Sequence, residues 1–313
     1  MTPVSTHSPL KGSAVLKGSA VLKGSAVLKG RAIDGGRAQR LVAAVALCAG
    51  AVALITGCSA GSAGSAGSAG SAKPLTARAA ITLAADETQR VNSVAVTISA
   101  QLSGNISETT SGTAQMQLRP DLVVDENLNV SAEGQSYGMD EIVNTNAIYL
   151  KSSAFSSLTA HGRPWLEIPL SSLSPNLGSS LSQLLQNVQN GNPMAQTRML
   201  AAAANVRAVG TQVIDGVSTT HYTGSFTASS ALAKLSPSLR AQLSPLLKLV
   251  SGAIRFDVWI DAQHVARKII EDYTIFGDTM HVTANVTAIN QPVNIVLPRP
   301  RRVTVRSASQ FGV

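Results

Sequence analysis

The 313 residues of this chain predict an α+β domain, a large antiparallel sheet with helical segments set over one face. Three observations carry that expectation. Several segments alternate apolar and polar residues, as Val94, Val96, Ile98, Ala100 and Leu102 do against Ala95, Thr97, Ser99 and Gln101, which is the pattern of a half-buried strand. Strand-like segments near the C-terminus are separated by turns of hairpin length, so neighbours run antiparallel. Between the strand-rich regions, Leu, Met and Ala recur at helical spacing, which segregates helices from sheet.

Along the chain, Leu75–Gln89 is rich in Ala and Leu and reads as a helix. The strand at 94–102 follows, then Gly112–Leu118, where Ala114, Met116 and Leu118 keep the alternation up to a turn at Pro120-Asp121. Leu122–Val130, Ala147–Lys151 and Trp165–Ile168 are further strands. Leu173–Val188 and Pro193–Asn205 read as helices separated by Asn190-Gly191-Asn192. Arg207–Ile214 and Val217–Phe226 flank Asp215-Gly216, a two-residue hairpin signal because such turns need positive φ at both positions. Ala228–Val250 reads as helix, broken by Pro237 and Pro245. Ala253–Ile260, Val265–Ile275, Thr279–Ala288 and Val293–Leu297 complete the sheet, with turns at Asp261-Ala262-Gln263 and Gly277-Asp278.

The chain before residue 74 has a different character. Residues 11–28 are three copies of Lys-Gly-Ser-Ala-Val-Leu, and a period of six lines neither a helix face nor a strand face. This makes the segment before Leu41 long for an export signal, and a translation start nearer Arg31 is the corresponding expectation. Arg37 and Arg40 precede an uncharged stretch, Leu41–Ile55, that is short for a spanning helix of roughly 20 residues. A basic flank, an apolar segment and small residues before a cut form the anatomy of a secretory signal. The ending Ile55-Thr56-Gly57-Cys58 resembles the lipobox of bacterial lipoproteins, with Cys58 as the acylated residue. That resemblance implies cleavage before Cys58 and an anchor in the outer face of the plasma membrane. Residues 61–72, four copies of Gly-Ser-Ala, then read as a flexible tether spanning roughly 20 Å.

Composition excludes several classes of function. Seven of the 25 Lys/Arg and one of the 17 Asp/Glu precede Cys58, leaving 18 against 16, so the apparent +8 belongs to the leader. The remainder has no electrostatic case for nucleic acid. Both cysteines, Cys48 and Cys58, lie in the signal region, so no disulfide, thiolate metal site or cysteine nucleophile is expected. With aromatic residues at 4%, the core of the exported part is aliphatic. His161, His221, His264 and His281 fall in no paired metal spacing, and no serine elbow, P-loop or dinucleotide fingerprint is present. His221 is expected to make a structural hydrogen bond, Asp261 to bond locally in its turn, and Trp165 and Trp259 to anchor the sheet core. Asp125-Glu126, Asp140-Glu141 and Glu271-Asp272 are adjacent acids whose side chains face opposite sides of a strand. They are expected at solvated edges, not in a shared carboxylate site. The reading is non-enzymatic, with no cofactor.

Spaced fragments carry a further resemblance. They are Ala147-Ile148-Tyr149-Leu150-Lys151, Gly162-Arg163-Pro164-Trp165-Leu166-Glu167-Ile168, Asn192-Pro193, and Val209-Gly210 through Gly216 to Gly224. Phe256-Asp257-Val258-Trp259-Ile260-Asp261 and Gln291-Pro292-Val293-Asn294-Ile295 complete the set. In order and spacing they resemble the LolA-like lipoproteins of actinobacteria, the LppX/LprG type. The resemblance implies a half-barrel, a curved antiparallel sheet whose concave face is closed by helices around an apolar cavity. It also implies a membrane-anchored partner for an acylated lipid or glycolipid. Leu181, Leu184, Leu185, Met194, Met199 and Leu200 are the candidates to line that cavity. The expected organisation is a leader and signal at 1–57, Cys58 and its tether at 58–73, a LolA-like lipid-binding domain at 74–298 and a basic tail at 299–313. The same aliphatic residues could pack a filled half-barrel that serves as an interaction or sensing platform. Ligand identity and oligomeric state stay open at this level.

Overall fold

The structure is a computed structural model that describes residues 75–87, 90–105, 107–132, 134–173, 203–235 and 247–311, with 178–179, 182, 185–186, 237, 240–241 and 244 between them. The expected helices at 173–188 and 193–205 lie mostly outside these residues. Of the first, 178–179, 182 and 185–186 are helical; of the second, Ala204 and Asn205 already belong to a strand.

The strands are β1 Ser93–Ser103, β2 Glu108–Gln117, β3 Val123–Ala132, β4 Gln135–Asn144, β5 Ala147–Ser152, β6 Trp165–Pro169, β7 Ala204–Ile214, β8 Val217–Thr227, β9 Val250–Asp261, β10 Ala266–Ile275, β11 Asp278–Ile289 and β12 Val303–Val305. They form an open 12-stranded sheet in the order β12-β6-β5-β4-β3-β2-β1-β11-β10-β9-β8-β7. Two antiparallel meanders, β1–β6 and β7–β11, are joined edge to edge by the β1–β11 pairing, from Val94↔Ile289 to Ser103↔Thr279. Short turns set the registers. Asp215 and Gly216 carry φ of 47° and 79° between β7 and β8, as the hairpin signal requires. Phe276 and Gly277, at 53° and 87°, do the same between β10 and β11.

Three segments depart from expectation. β4 was not legible, because Gly138 and Asp140-Glu141 interrupt its apolar alternation. The expected strand at Val293–Leu297 is absent, and Val296 and Leu297 are exposed. β11 is already paired on both sides, with β1 and β10, so a chain returning from it finds no free edge. Pro292 and Pro298 also withdraw ladder donors there. The basic stretch beyond residue 298 instead supplies β12, which runs parallel to β6 through Val303↔Trp165 and Thr304↔Leu166.

Two helices are described over their full length, α1 Ala77–Glu87 and α2 Ala228–Lys234. α1 buries Ala80, Ile81 and Ala84, one helical stripe, and its Arg78 Nη2 donates to the Ala203 carbonyl at 2.7 Å. α2 opens on a capping box: Thr227 Oγ1 accepts from Ser230 N and Ser230 Oγ accepts from Thr227 N, both at 3.0 Å.

Inward residues form two aliphatic clusters. One joins β1–β6 to Phe155, Leu170, Leu173 and Leu185. The other joins Ile81 and Ala84 of α1 and Ala231 of α2 to β9–β11. The first cluster demands a close β2–β3 approach at Gly112, where an added Cβ would lie 2.0 Å from the Asn127 carbonyl oxygen and 2.9 Å from Leu128 Cα. Both are backbone atoms and cannot swing aside. Gly112→Val is therefore expected to force the strands apart and destabilise by at least the usual overpacking range, about 1–3 kcal/mol. A thermal melt matching wild type would contradict this packing.

Candidate functional site

Along each strand of the first meander, side chains alternate between an inner, cluster-bearing face and an outer face. On β3 the inner positions are Val124, Glu126, Leu128 and Val130; on β4 they are Met139, Glu141 and Val143. The β3–β4 register sets Glu126 directly opposite Glu141. The same row continues through Ala114 and Val96 on one side and Leu150 and Leu166 on the other. Two carboxyls thus face each other inside an aliphatic row.

Their burial is nearly complete: Glu126 is 1% exposed and Glu141 0%. All four carboxyl oxygens lack a hydrogen-bonding partner among the described residues. Burial, with a smaller push from Asp125, raises the Glu126 carboxyl to about 8. Burial, followed by the neighbouring Glu126, holds Glu141 well above the ordinary range. A carboxyl deprived of water favours its neutral form, so both carry their protons at neutral pH. Each can then donate one hydrogen bond and accept others.

Further polar groups share the inner face. Glu108 is buried, accepts from Thr110 Oγ1 at 3.3 Å, and is raised by desolvation more than that bond lowers it. The Tyr137 hydroxyl, two rows from Glu141 on β4, is buried without a hydrogen-bonding partner among the described residues, and desolvation and then Glu108 raise it. On β10, Glu271 shares a face with Ile269 and Tyr273, and burial pushes it up to about 8 although the residue keeps partial exposure.

The sequence reading of the acids is corrected here. Adjacent acids do face opposite sides: Asp140 lies outside, bonded to Asn127 Nδ2 at 2.7 Å and Lys151 Nζ at 2.6 Å. Their inner partners, however, meet across the strand boundary. The shared carboxylate site arises from register, and β4 had to be located before it could be seen.

The outer face holds both tryptophans and His221. His221 stacks on Trp259 with ring centroids 4.2 Å apart, and its Nε2 lies 2.7 Å from Asp257 Oδ1. Lys268 Nζ lies 5.0 Å from the Trp259 ring centroid, and Trp259 Nε1 donates to Gln212. This matches the structural role expected of His221. The tryptophans are placed differently from expectation: Trp259 is buried by an outer-face ladder of polar residues, and Trp165 sits half-buried beneath Lys151.

Two clefts open near the loop at 153–164. One, about 480 Å³, is lined by residues including Asn129, Met139, Asp140 and Lys151. The other, about 570 Å³, includes His161, Arg163 and Arg302. The second is mostly polar and the first mixes polar groups with apolar surface, and neither is lined by a residue expected to line the apolar cavity. Of those, Leu185 is 3% exposed within the first cluster. Leu181, Leu184, Met194, Met199 and Leu200, like Cys58, the expected anchor, lie outside the described residues. Among the described residues no group of three or more His, Cys, Asp or Glu could hold a metal ion, and no helix is long and apolar enough to cross a membrane.

The chain is similar to solved structures of lipoprotein LppX from Mycobacterium tuberculosis, at 21% identity, covering 70% of this chain and 97% of that one with a TM-score of 0.43. It is similar to LprF from Mycobacterium bovis at 14% identity, 72% and 96% coverage and a TM-score of 0.43. A LolA superfamily protein from Nitrosomonas europaea is similar at 13% identity, 68% and 92% coverage and a TM-score of 0.24. No curated protein matches the chain. Residues 76–295, well over half of the sequence and spanning both meanders, match the description of one lipoprotein family, and on that match the chain belongs to the LppX_LprAFG lipoprotein family.

Proposed function

We propose that this protein is a lipid-anchored lipoprotein of the extracytoplasmic face that binds or carries an acylated lipid or glycolipid against the inner face of a half-barrel sheet. Family membership is the observation that carries the reading. The inner face supports it: two aliphatic clusters with few large aromatics offer a lining that hydrocarbon tails can share. Burial of acyl methylenes would supply affinity, at about 0.8 kcal/mol each. In this reading the segment carrying Leu181, Leu184, Leu185, Met194, Met199 and Leu200 lines the cavity and moves to admit the tails. Acylated Cys58 and the Gly-Ser-Ala tether hold the domain near one leaflet, and no chemical step is assigned to it.

The test is native mass spectrometry of the full chain purified from membranes of an actinobacterial host, beside its Cys58→Ser variant. Co-purifying lipid in both, with the variant released from the membrane fraction, is the expected result. Protein that carries no lipid under any extraction condition would instead favour a filled half-barrel acting as an interaction or sensing platform. A variant that stays in the membrane fraction would remove Cys58 as the anchor.

A further inference from the structure

We propose that Glu126 and Glu141 form a polar subsite that takes the uncharged, hydroxyl-bearing part of a bound lipid. The inference rests on the lipid-binding reading above and names what that reading leaves open. Its basis is geometric. The carboxyls stand directly opposite each other on adjacent strands, within the inner cluster and at 1% and 0% exposure. Four oxygens there have no partner among the described residues. Buried polar groups are overwhelmingly hydrogen-bonded, so an orphan of this kind calls for a partner. Two such groups side by side, in a row otherwise made of Ala114, Val96, Leu150 and Leu166, serve no packing purpose that Leu or Met would not serve better.

The chemistry of the pair narrows the ligand. Neutral carboxyls each present an O–H donor and a carbonyl acceptor, the complement of an alcohol, which also donates and accepts. A phosphate offers acceptors and negative charge, and among the described residues no cation lies in this row to balance it. The flanking residues Val124, Leu128, Met139 and Val143 suit the hydrocarbon on either side of the hydroxyls. A hydroxylated lipid whose polar group lies between acyl-bearing portions, or at the end of one, fits this surface.

The experiment compares three oleoyl probes on the full chain by titration: 1-monooleoylglycerol, methyl oleate and oleoyl lysophosphatidate. Wild type is expected to bind monooleoylglycerol on the order of tenfold more tightly than methyl oleate, the gain from two or so added hydrogen bonds. Glu126→Leu/Glu141→Leu should erase that preference while methyl oleate binds as before. Glu126→Gln/Glu141→Gln, which keeps donors and acceptors, should retain it. Equal binding of the two neutral probes by wild type, an unchanged preference in the Leu variant, or preference for the lysophosphatidate overturns the subsite alone. Failure of wild type to bind any of the three overturns the lipid-binding reading together with it.

Discussion

Stability of the folded chain is expected to fall as pH rises from about 5 towards 9, a trend opposite to that of proteins held by ionised carboxylates. The cause is the pair Glu126 and Glu141. Each has a folded-state pKa raised above the ordinary 4.5, to about 8 for Glu126 and in the same direction for Glu141. Between the two values the folded chain holds a proton that the unfolded chain has lost. Unfolding therefore releases protons, and raising pH favours it. The contribution is complete below about 4.5 and is lost as pH passes through the folded values. For each carboxyl still protonated in the fold, the slope is about 1.4 kcal/mol per pH unit. Glu271, also raised to about 8, adds in the same direction, but its partial exposure makes it the lesser contributor.

Glu126→Leu/Glu141→Leu should then stabilise the protein and flatten the profile. Leu is close to Glu in volume and removes two groups whose buried oxygens lack partners among the described residues, each costing about 1–3 kcal/mol. The gain should grow with pH and be largest at the alkaline end of the range, with the residual slope belonging to Glu271. Thermal and urea melts from pH 5 to 9 at constant ionic strength measure both effects. Stability that is flat or rises with pH in wild type, or a double variant less stable than its parent at pH 8, would show that the carboxyls have partners in solution.

How these carboxyls escaped the sequence reading has a simple physical explanation. Alternation shows which residues of one strand share a face, so Val94 through Leu102 placed β1 correctly with its apolar side inward. It does not say which residue of the next strand stands opposite. Glu126 and Glu141 are fifteen positions apart, and their meeting depends on the turn between β3 and β4. Gln135–Asn144 lacked a clean period, so neither strand nor register was available. Where turn chemistry was explicit, as at Asp215-Gly216, the pairing was recoverable from local signals. The last strand was hidden for a different reason. Val303–Val305 is short, flanked by arginines, and pairs with β6 some 140 residues away. The tryptophans reveal a converse limit: a large aromatic ring can be buried by Lys, His and Gln on the outer face of a sheet, without occupying the apolar core.

Asp261→Ala is expected to be the most damaging single substitution among the polar residues of the second meander. Its side chain is fully buried at the end of β9, where the chain turns into β10. Oδ1 accepts from the backbone N–H groups of Gln263 and Val265, both at 2.9 Å. Oδ2 accepts from Arg267 Nε at 2.8 Å and lies 2.8 Å from Nη2 in the same ion pair. One carboxylate thereby closes the turn, supports His264 at its positive φ of 61°, and neutralises a guanidinium that is only 29% exposed. Alanine leaves two N–H groups and a charge without partners, a loss of about 3–5 kcal/mol. Asparagine keeps an acceptor for the backbone but gives up the ion pair, so Asp261→Asn should fall between alanine and wild type. Amide exchange across 257–269 should accelerate in the alanine variant ahead of the β3–β4 region, since the damage begins at this hairpin. A loss below about 1 kcal/mol in urea melts would place the turn's stability in the strands rather than in the carboxylate. With Oδ1 held by two backbone N–H groups and Oδ2 by the Arg267 guanidinium, Asp261 has no oxygen left free of a protein donor for proton transfer, which makes its role architectural.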